Sequence, residues 1–179
     1  MHSQERHYSS PSYIDAKGRT RFHENDELAE QLKRLGQFLV VGGYPAQHAA
    51  RYPKLAHTIS RHPEPLRQIY EAGQLQKFAG IGETVAQIIA EFLETGTCTK
   101  WQEWKQHTPE SVLDLTAIPN LGPQTVRVLY NEHGIQDLPG LKAALEAGKL
   151  NGIPGIGPKT LKSIHEHLKN DSIEDTGKV

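Results

Sequence analysis

The sequence predicts an all-α fold, and three observations carry that expectation. Apolar residues recur at helical spacing, as in Leu28, Leu32, Leu35 and Leu39. Aromatic residues are only 7% of the chain, too few for a β-sandwich or barrel rich in Tyr, Phe and Trp. From residue 73 onward a helix, a tight glycine turn and a second helix recur three times, with no alternating strand pattern between the copies.

Residues 1–22 hold Ser9-Ser10-Pro11-Ser12 and no apolar period, and read as a flexible tail with Arg6, Lys17, Arg19 and Arg21 against Glu5 and Asp15. A helix is expected after Asn25 or Asp26, stopped by Gly42-Gly43. A second should run from Pro45 to about Ser60, kinked or divided at Pro53. Pro63-Glu64-Pro65 opens a third, short helix that ends near Gly73. The three glycine turns are Phe78-Ala79-Gly80-Ile81-Gly82, Ile118-Pro119-Asn120-Leu121-Gly122 and Ile153-Pro154-Gly155-Ile156-Gly157. Apolar stripes follow, with Val85, Ile88, Ile89, Phe92 and Leu93 after the first turn and Leu161, Ile164 and Leu168 after the third. The expected division is a tail over 1–22, a helical domain with the first turn over 23–106, a second with two turns over 107–170, and a frayed end over 171–179.

Composition narrows the function classes. The 179 residues suit one domain or two small ones, and a hydrophobic share of 36% implies a modest or divided core. No uncharged apolar run approaches the roughly 18 residues of a membrane span. The start is polar and charged, so no signal peptide is expected. Cys98 is the single cysteine, which allows no internal disulfide and no cysteine-built metal site. A cytoplasmic protein is the expectation, nucleoid-associated if bacterial. Lys and Arg total 20 against 21 Asp and Glu, so nucleic-acid binding would have to rest on local geometry.

That geometry is expected at the turns. Reversing a helix within a few residues needs backbone conformations that glycine adopts cheaply. Gly82, Gly122 and Gly157 should also leave bare amides at the mouth of the next helix, where the helix dipole favours an oxyanion such as a phosphate. Pro123 and Pro158 fit a first helical turn, where no donor is lost.

These residues resemble the helix-hairpin-helix motif, a DNA-backbone-binding element. Gly80-Ile81-Gly82-Glu83-Thr84-Val85-Ala86 through Glu91-Phe92-Leu93-Glu94-Thr95-Gly96 is similar to the lyase-domain hairpin of family X DNA polymerases, the polymerase β relatives. Leu115–Ile135 is similar to that family's second hairpin, and the third resembles the one that bacterial members place before their palm. The resemblance covers residues 24–170 and implies DNA as partner, gapped, nicked or at a single-strand/duplex junction, with a separate repair enzyme or polymerase. It also implies a monovalent cation, Na+ or K+, held by main-chain carbonyls of Gln76, Phe78 and Ile81, of Thr116, Ile118 and Leu121, and of Asn151, Ile153 and Ile156.

Three departures speak against catalysis. The family's palm carries a Gly-Ser pair and paired aspartates for magnesium, whereas this sequence has no Gly-Ser and no Asp-x-Asp. Its lyase lysine, six residues after the second glycine, corresponds to Ile88, which cannot form a Schiff base. The family's phosphate-binding lysine corresponds to His48, leaving only Lys54 or Lys77 as substitutes. A non-catalytic, sequence-independent DNA-binding module in repair is therefore expected. The alternatives are a protein-interaction scaffold that kept the fold, residual deoxyribose-phosphate lyase activity, or a fragment of a longer polymerase.

Among the turns, the first offers Gly80 and Gly82 but places Glu83 where a phosphate would sit. The second offers Gly122, Gln124, Thr125 and Arg127. The third offers Gly155, Gly157, Lys159, Thr160 and Lys162 and is expected to be the best phosphate site. The ten histidines, including His165-Glu166-His167, read as scattered surface residues, and Trp101 and Trp104 as core.

Overall fold

The structure, a computed structural model, describes residues 10–176. Regular structure is helical apart from one short hairpin, in keeping with the all-α expectation. That hairpin corrects the reading of residues 10–22 as tail; residues 1–9 lie outside the described residues. Strands β1 (Ser12–Ile14) and β2 (Thr20–Phe22) pair antiparallel, Tyr13 opposite Arg21. Polar contacts rather than an apolar stripe hold them. The Asp15 carboxylate accepts from the Lys17 and Arg19 amides at 2.9 and 3.0 Å and pairs with the Arg19 guanidinium at 2.7 Å. Tyr13 donates to Asp26 at 2.7 Å and stacks on His23, while buried Arg21 lies 3.4 Å from Asp26.

The Arg19 bonds hold the Asp15 carboxyl at about 2, below its ordinary 3.8. A depressed carboxyl pKa stabilises fully above the unfolded value and is lost as pH falls through the folded one. The turn amides of Lys17 and Arg19 are thus expected to keep their NMR shifts from neutrality down to about pH 3 and to move only near pH 2.

Helix α1 (His23–Gly42) begins three or four residues before the expected start and ends at the predicted glycine pair. The chain then divides into two units. The first comprises Met1–Gly36 and Ala46–Trp104, the second Gln37–Pro45 and Lys105–Val179. The domain boundary expected after residue 106 thus falls at 104, and the end of α1 belongs with the second unit.

In the first unit, Leu28, Leu32 and Leu35 of α1 are buried, as are Ala49 of α2 (Ala46–Ala49), Tyr52, Leu55 and Ile59 of α3 (Arg51–Ile59) and Leu66 of α4 (Leu66–Glu71). The expected second helix is divided at Ala50, not at Pro53. Pro53 is the third residue of α3, where a backbone amide has no helical partner to lose. A Cβ on Gly36 would lie 3.0 Å from Pro53 Cδ and 3.3 Å from the Ala49 carbonyl, so α1 needs glycine there. Asn25, wholly buried, donates to the Glu64 carbonyl at 2.9 Å and accepts from the Leu66 amide at 2.8 Å. Arg67 ties α4 to Glu24 and to the Leu93 carbonyl.

A 3-10 turn (Leu75–Lys77) leads to α5 (Glu83–Thr95), which ends on left-handed Gly96. The Glu91 carboxylate accepts the Thr99 amide at 2.7 Å, capping α6 (Thr99–Lys105) from a distance, and this bond lowers its pKa. Trp101 and Trp104 are half-buried rather than core. Burial pushes the Cys98 thiol up to about 11.

The second unit buries Phe38, Leu39 and Val41 from α1 with Val112 and Leu115 of α7 (Val112–Thr116), Val126 and Leu129 of α8 (Pro123–His133), Leu141 of α9 (Leu138–Glu146) and Ile164 of α10 (Pro158–Thr176). The short helix expected before the third turn is α9, which a run of turns through left-handed Gly148 and Gly152 joins to that turn. Helix α10 runs on to Thr176, through part of the segment expected to fray from Asp171; residues 177–179 lie outside the described residues. Among the described residues no helix is long and apolar enough to cross a membrane.

Candidate nucleic-acid interface

Each of the three turns is built alike. Ile81 N donates to Phe78 O at 3.1 Å, Leu121 N to Ile118 O at 3.1 Å and Ile156 N to Ile153 O at 3.0 Å. Ile81, Leu121 and Ile156 are buried, anchoring each turn by one apolar side chain. The left-handed residue is the third of each five, Gly80 (φ 88°), Asn120 (φ 65°) and Gly155 (φ 86°).

This relocates the conformational role given to Gly82, Gly122 and Gly157. Gly82 and Gly122 are extended (φ −85° and −76°), and Gly157 is not among the left-handed glycines. A Cβ on any of the three would meet nothing within 4 Å. They have neither a backbone nor a packing reason to be glycine within their own chain.

Two of the helices they open are left without side-chain caps. No side chain caps α5 or α8, whereas the Asp137 carboxylate caps α9 through the Gly140 amide at 2.8 Å. Gly122 O and Gly157 O accept the first intrahelical bonds, from Val126 and Leu161. The remaining first-turn donors, Gln124 and Thr125 in α8 and Lys159 and Thr160 in α10, belong to the class that a helix cannot satisfy internally. Pro123 and Pro158 open these helices as predicted.

The second and third turns fall in one unit and pack on each other; the first belongs to the other unit. Gly155 lies so close to α8 that a Cβ would overlap Thr125 Oγ1 and sit 3.1 Å from its Cγ2. Thr160 is 7% exposed, and its hydroxyl reaches the Asn120 and Gly155 carbonyls at 3.4 Å. Its side chain faces inward, so only its amide is presented. Lys159 is exposed; Lys162 is exposed too and lies 3.8 Å from Glu166. The Arg127 guanidinium lies beside Gly43, where a Cβ would be 3.6 Å from Nη2. Glu83 is exposed at the mouth of α5.

Sequence reasoning missed one cationic surface. Arg51, Lys54 and Arg61 are exposed along α3 and the turn after it. The signal was present: residues 31–63 contain Lys33, Arg34, Arg51, Lys54 and Arg61 and no Asp or Glu. Near-neutral total charge therefore conceals a segregated distribution.

Ile88 is buried, continuing the α5 stripe, while Lys54 and Lys77 are exposed. Among the described residues no three His, Cys, Asp or Glu side chains converge as metal ligands. Of the carbonyls implicated in cation binding, Phe78 O, Ile118 O and Ile153 O each accept the turn amide, which leaves one lone pair for a ligand.

Residues 23–98 match the family described as helix-hairpin-helix domain, and residues 112–170 the SAM-like helix-hairpin-helix tandem. The chain is also 29% identical over 102 residues to the DNA polymerase/3'-5' exonuclease PolX of Bacillus subtilis (strain 168). That match covers 57% of this chain and 18% of the relative, so the matched part is under a fifth of that protein. The two matched stretches hold all three turns between them, so each turn lies in a stretch similar to a helix-hairpin-helix family, and the chain is similar in part to a family X DNA polymerase.

Proposed function

We propose that the chain is a non-catalytic DNA-binding module that holds backbone phosphates regardless of base sequence. It would prefer gapped or nicked duplex, or a single-strand/duplex junction, and serve repair beside a separate polymerase or repair enzyme, in the cytoplasm and at the nucleoid if bacterial. One observation carries this reading. Gly82, Gly122 and Gly157 sit in open space at helix mouths with no internal reason to lack a side chain. A phosphate approaching the uncapped amides supplies the missing reason. The likeness to a DNA polymerase and the exposed cations of α3 support it. Ile88 in place of the lysine supports the non-catalytic part. Na+ or K+ at the turn carbonyls is proposed with it, as a bridge between a turn and a phosphate oxygen.

The test replaces Gly122 with aspartate. An extended residue in open space accepts that side chain, and aspartate is a preferred N-cap, so stability should hold or rise by a few tenths of a kcal/mol. The same carboxylate would occupy the phosphate position. Titration with a gapped duplex at low salt is expected to show at least a tenfold loss of affinity for Gly122→Asp, while Lys159→Glu should lose more than any single change around Gly82. Wild-type affinity in Gly122→Asp would refute the phosphate reading.

A further inference from the structure

We propose that Asn120 and Ser163 couple the second and third turns into one grip, so that α8 and α10 engage a DNA backbone together. This rests on the DNA-binding reading above.

The three turns share one backbone design but differ at their left-handed position. Glycine fills it at Gly80 and Gly155; asparagine fills it at Asn120, with φ 65°. Asparagine tolerates that region better than most residues, yet glycine is cheaper, so its side chain needs a use. The structure supplies one. Asn120 Nδ2 donates to Ser163 Oγ at 2.8 Å, on the second turn of α10 and 43 positions along the chain. Beside that bond, Thr160 Oγ1 lies between the Asn120 and Gly155 carbonyls. Gly155 in turn seats against Thr125 of α8. Each turn's left-handed residue therefore meets the helix that the other turn launches.

This reciprocity fixes the spacing of two pairs of donors, the Gln124 and Thr125 amides and the Lys159 and Thr160 amides. Two weak grips held at a set separation bind as one, because the second contact becomes intramolecular and little ordering remains to be done. Asn120 is exposed and Ser163 half-buried, so their bond can break without opening the core. Asn120 is in this sense a positioning residue.

The test is an NMR titration of the full chain with a duplex carrying a one-nucleotide gap, following the amides of both turns. Asn120→Gly keeps the left-handed backbone and removes the bond from one side; Ser163→Ala removes it from the other. In the wild type both pairs of amides are expected to shift with one midpoint. In either variant the two midpoints should separate and affinity should fall several-fold, the double variant being no weaker than the singles. Variants that melt earlier but keep a shared midpoint would reduce the bond to a structural role and overturn the coupling. Weak binding by Asn120→Gly alone, with Ser163→Ala like wild type, would mean that Asn120 touches DNA itself, and also overturns it. A wild type whose turn amides never shift defeats the DNA reading and this proposal together, a result distinct from binding without coupling.

Discussion

Replacing Asn25 with leucine is expected to lower the unfolding free energy of the first unit by about 3 kcal/mol. The side chain is wholly buried and makes two bonds of good length to one loop, accepting the Leu66 amide at 2.8 Å and donating to the Glu64 carbonyl at 2.9 Å. Leucine nearly matches asparagine in shape, so packing changes little. What remains is a backbone donor and a backbone acceptor without partners, each costing about 1–3 kcal/mol when buried. Both tryptophans, Trp101 and Trp104, belong to this unit, so urea unfolding followed by tryptophan emission reports on it alone. The midpoint should fall, and the amides of α4 should lose exchange protection first. An unchanged midpoint would show that the loop re-pairs its backbone without Asn25.

Gly155→Val is expected to destabilise the second unit by about 3 kcal/mol, from two independent sources. At φ 86° a β-branched residue is strained, and its Cβ would overlap Thr125 Oγ1. The second unit has no tryptophan, so the loss should be visible as faster amide exchange in α8 and α10 with tryptophan emission unaltered. Unchanged exchange there would mean that α8 moves aside at little cost. A loss of DNA binding by this variant would say nothing about phosphate contact, because Gly155 serves the fold. Gly122 and Gly157, two residues beyond the left-handed position in their turns, are the positions where binding and folding separate.

The contrast among these glycines marks how far the sequence could be read. Helical class, the three turns and the buried faces of α5 and α10 follow from spacing alone, because a 3.6-residue period survives whatever the helix packs against. Val85, Ile88, Ile89 and Phe92 are buried as that period requires. Which glycine of a turn is left-handed depends on φ, and spacing carries no φ. A threonine at a helix mouth reads as a ligand because it is polar; the inward turn of Thr160 depends on the Asn120 carbonyl, which lies 40 residues away in sequence. The hairpin at 12–22 is not legible in the sequence because Asp15 and Arg19 hold it, and a charged stretch without apolar period reads as tail. Pro53 was expected to break a helix and instead sits in a first turn, since the actual break at Ala50 has no marker residue.

Helix α1 is shared property. Its first part belongs to the unit of residues 46–104, while Phe38, Leu39 and Val41 complete the hydrophobic interior of the unit that starts again at Lys105. No single scission of the polypeptide can therefore release both halves intact. A C-terminal piece beginning near residue 105 would leave behind three of its own buried side chains, and the matched stretches 23–98 and 112–170 are not autonomous parcels. Evolution could exchange, duplicate or discard one half only by also rewriting a helix that lies far upstream.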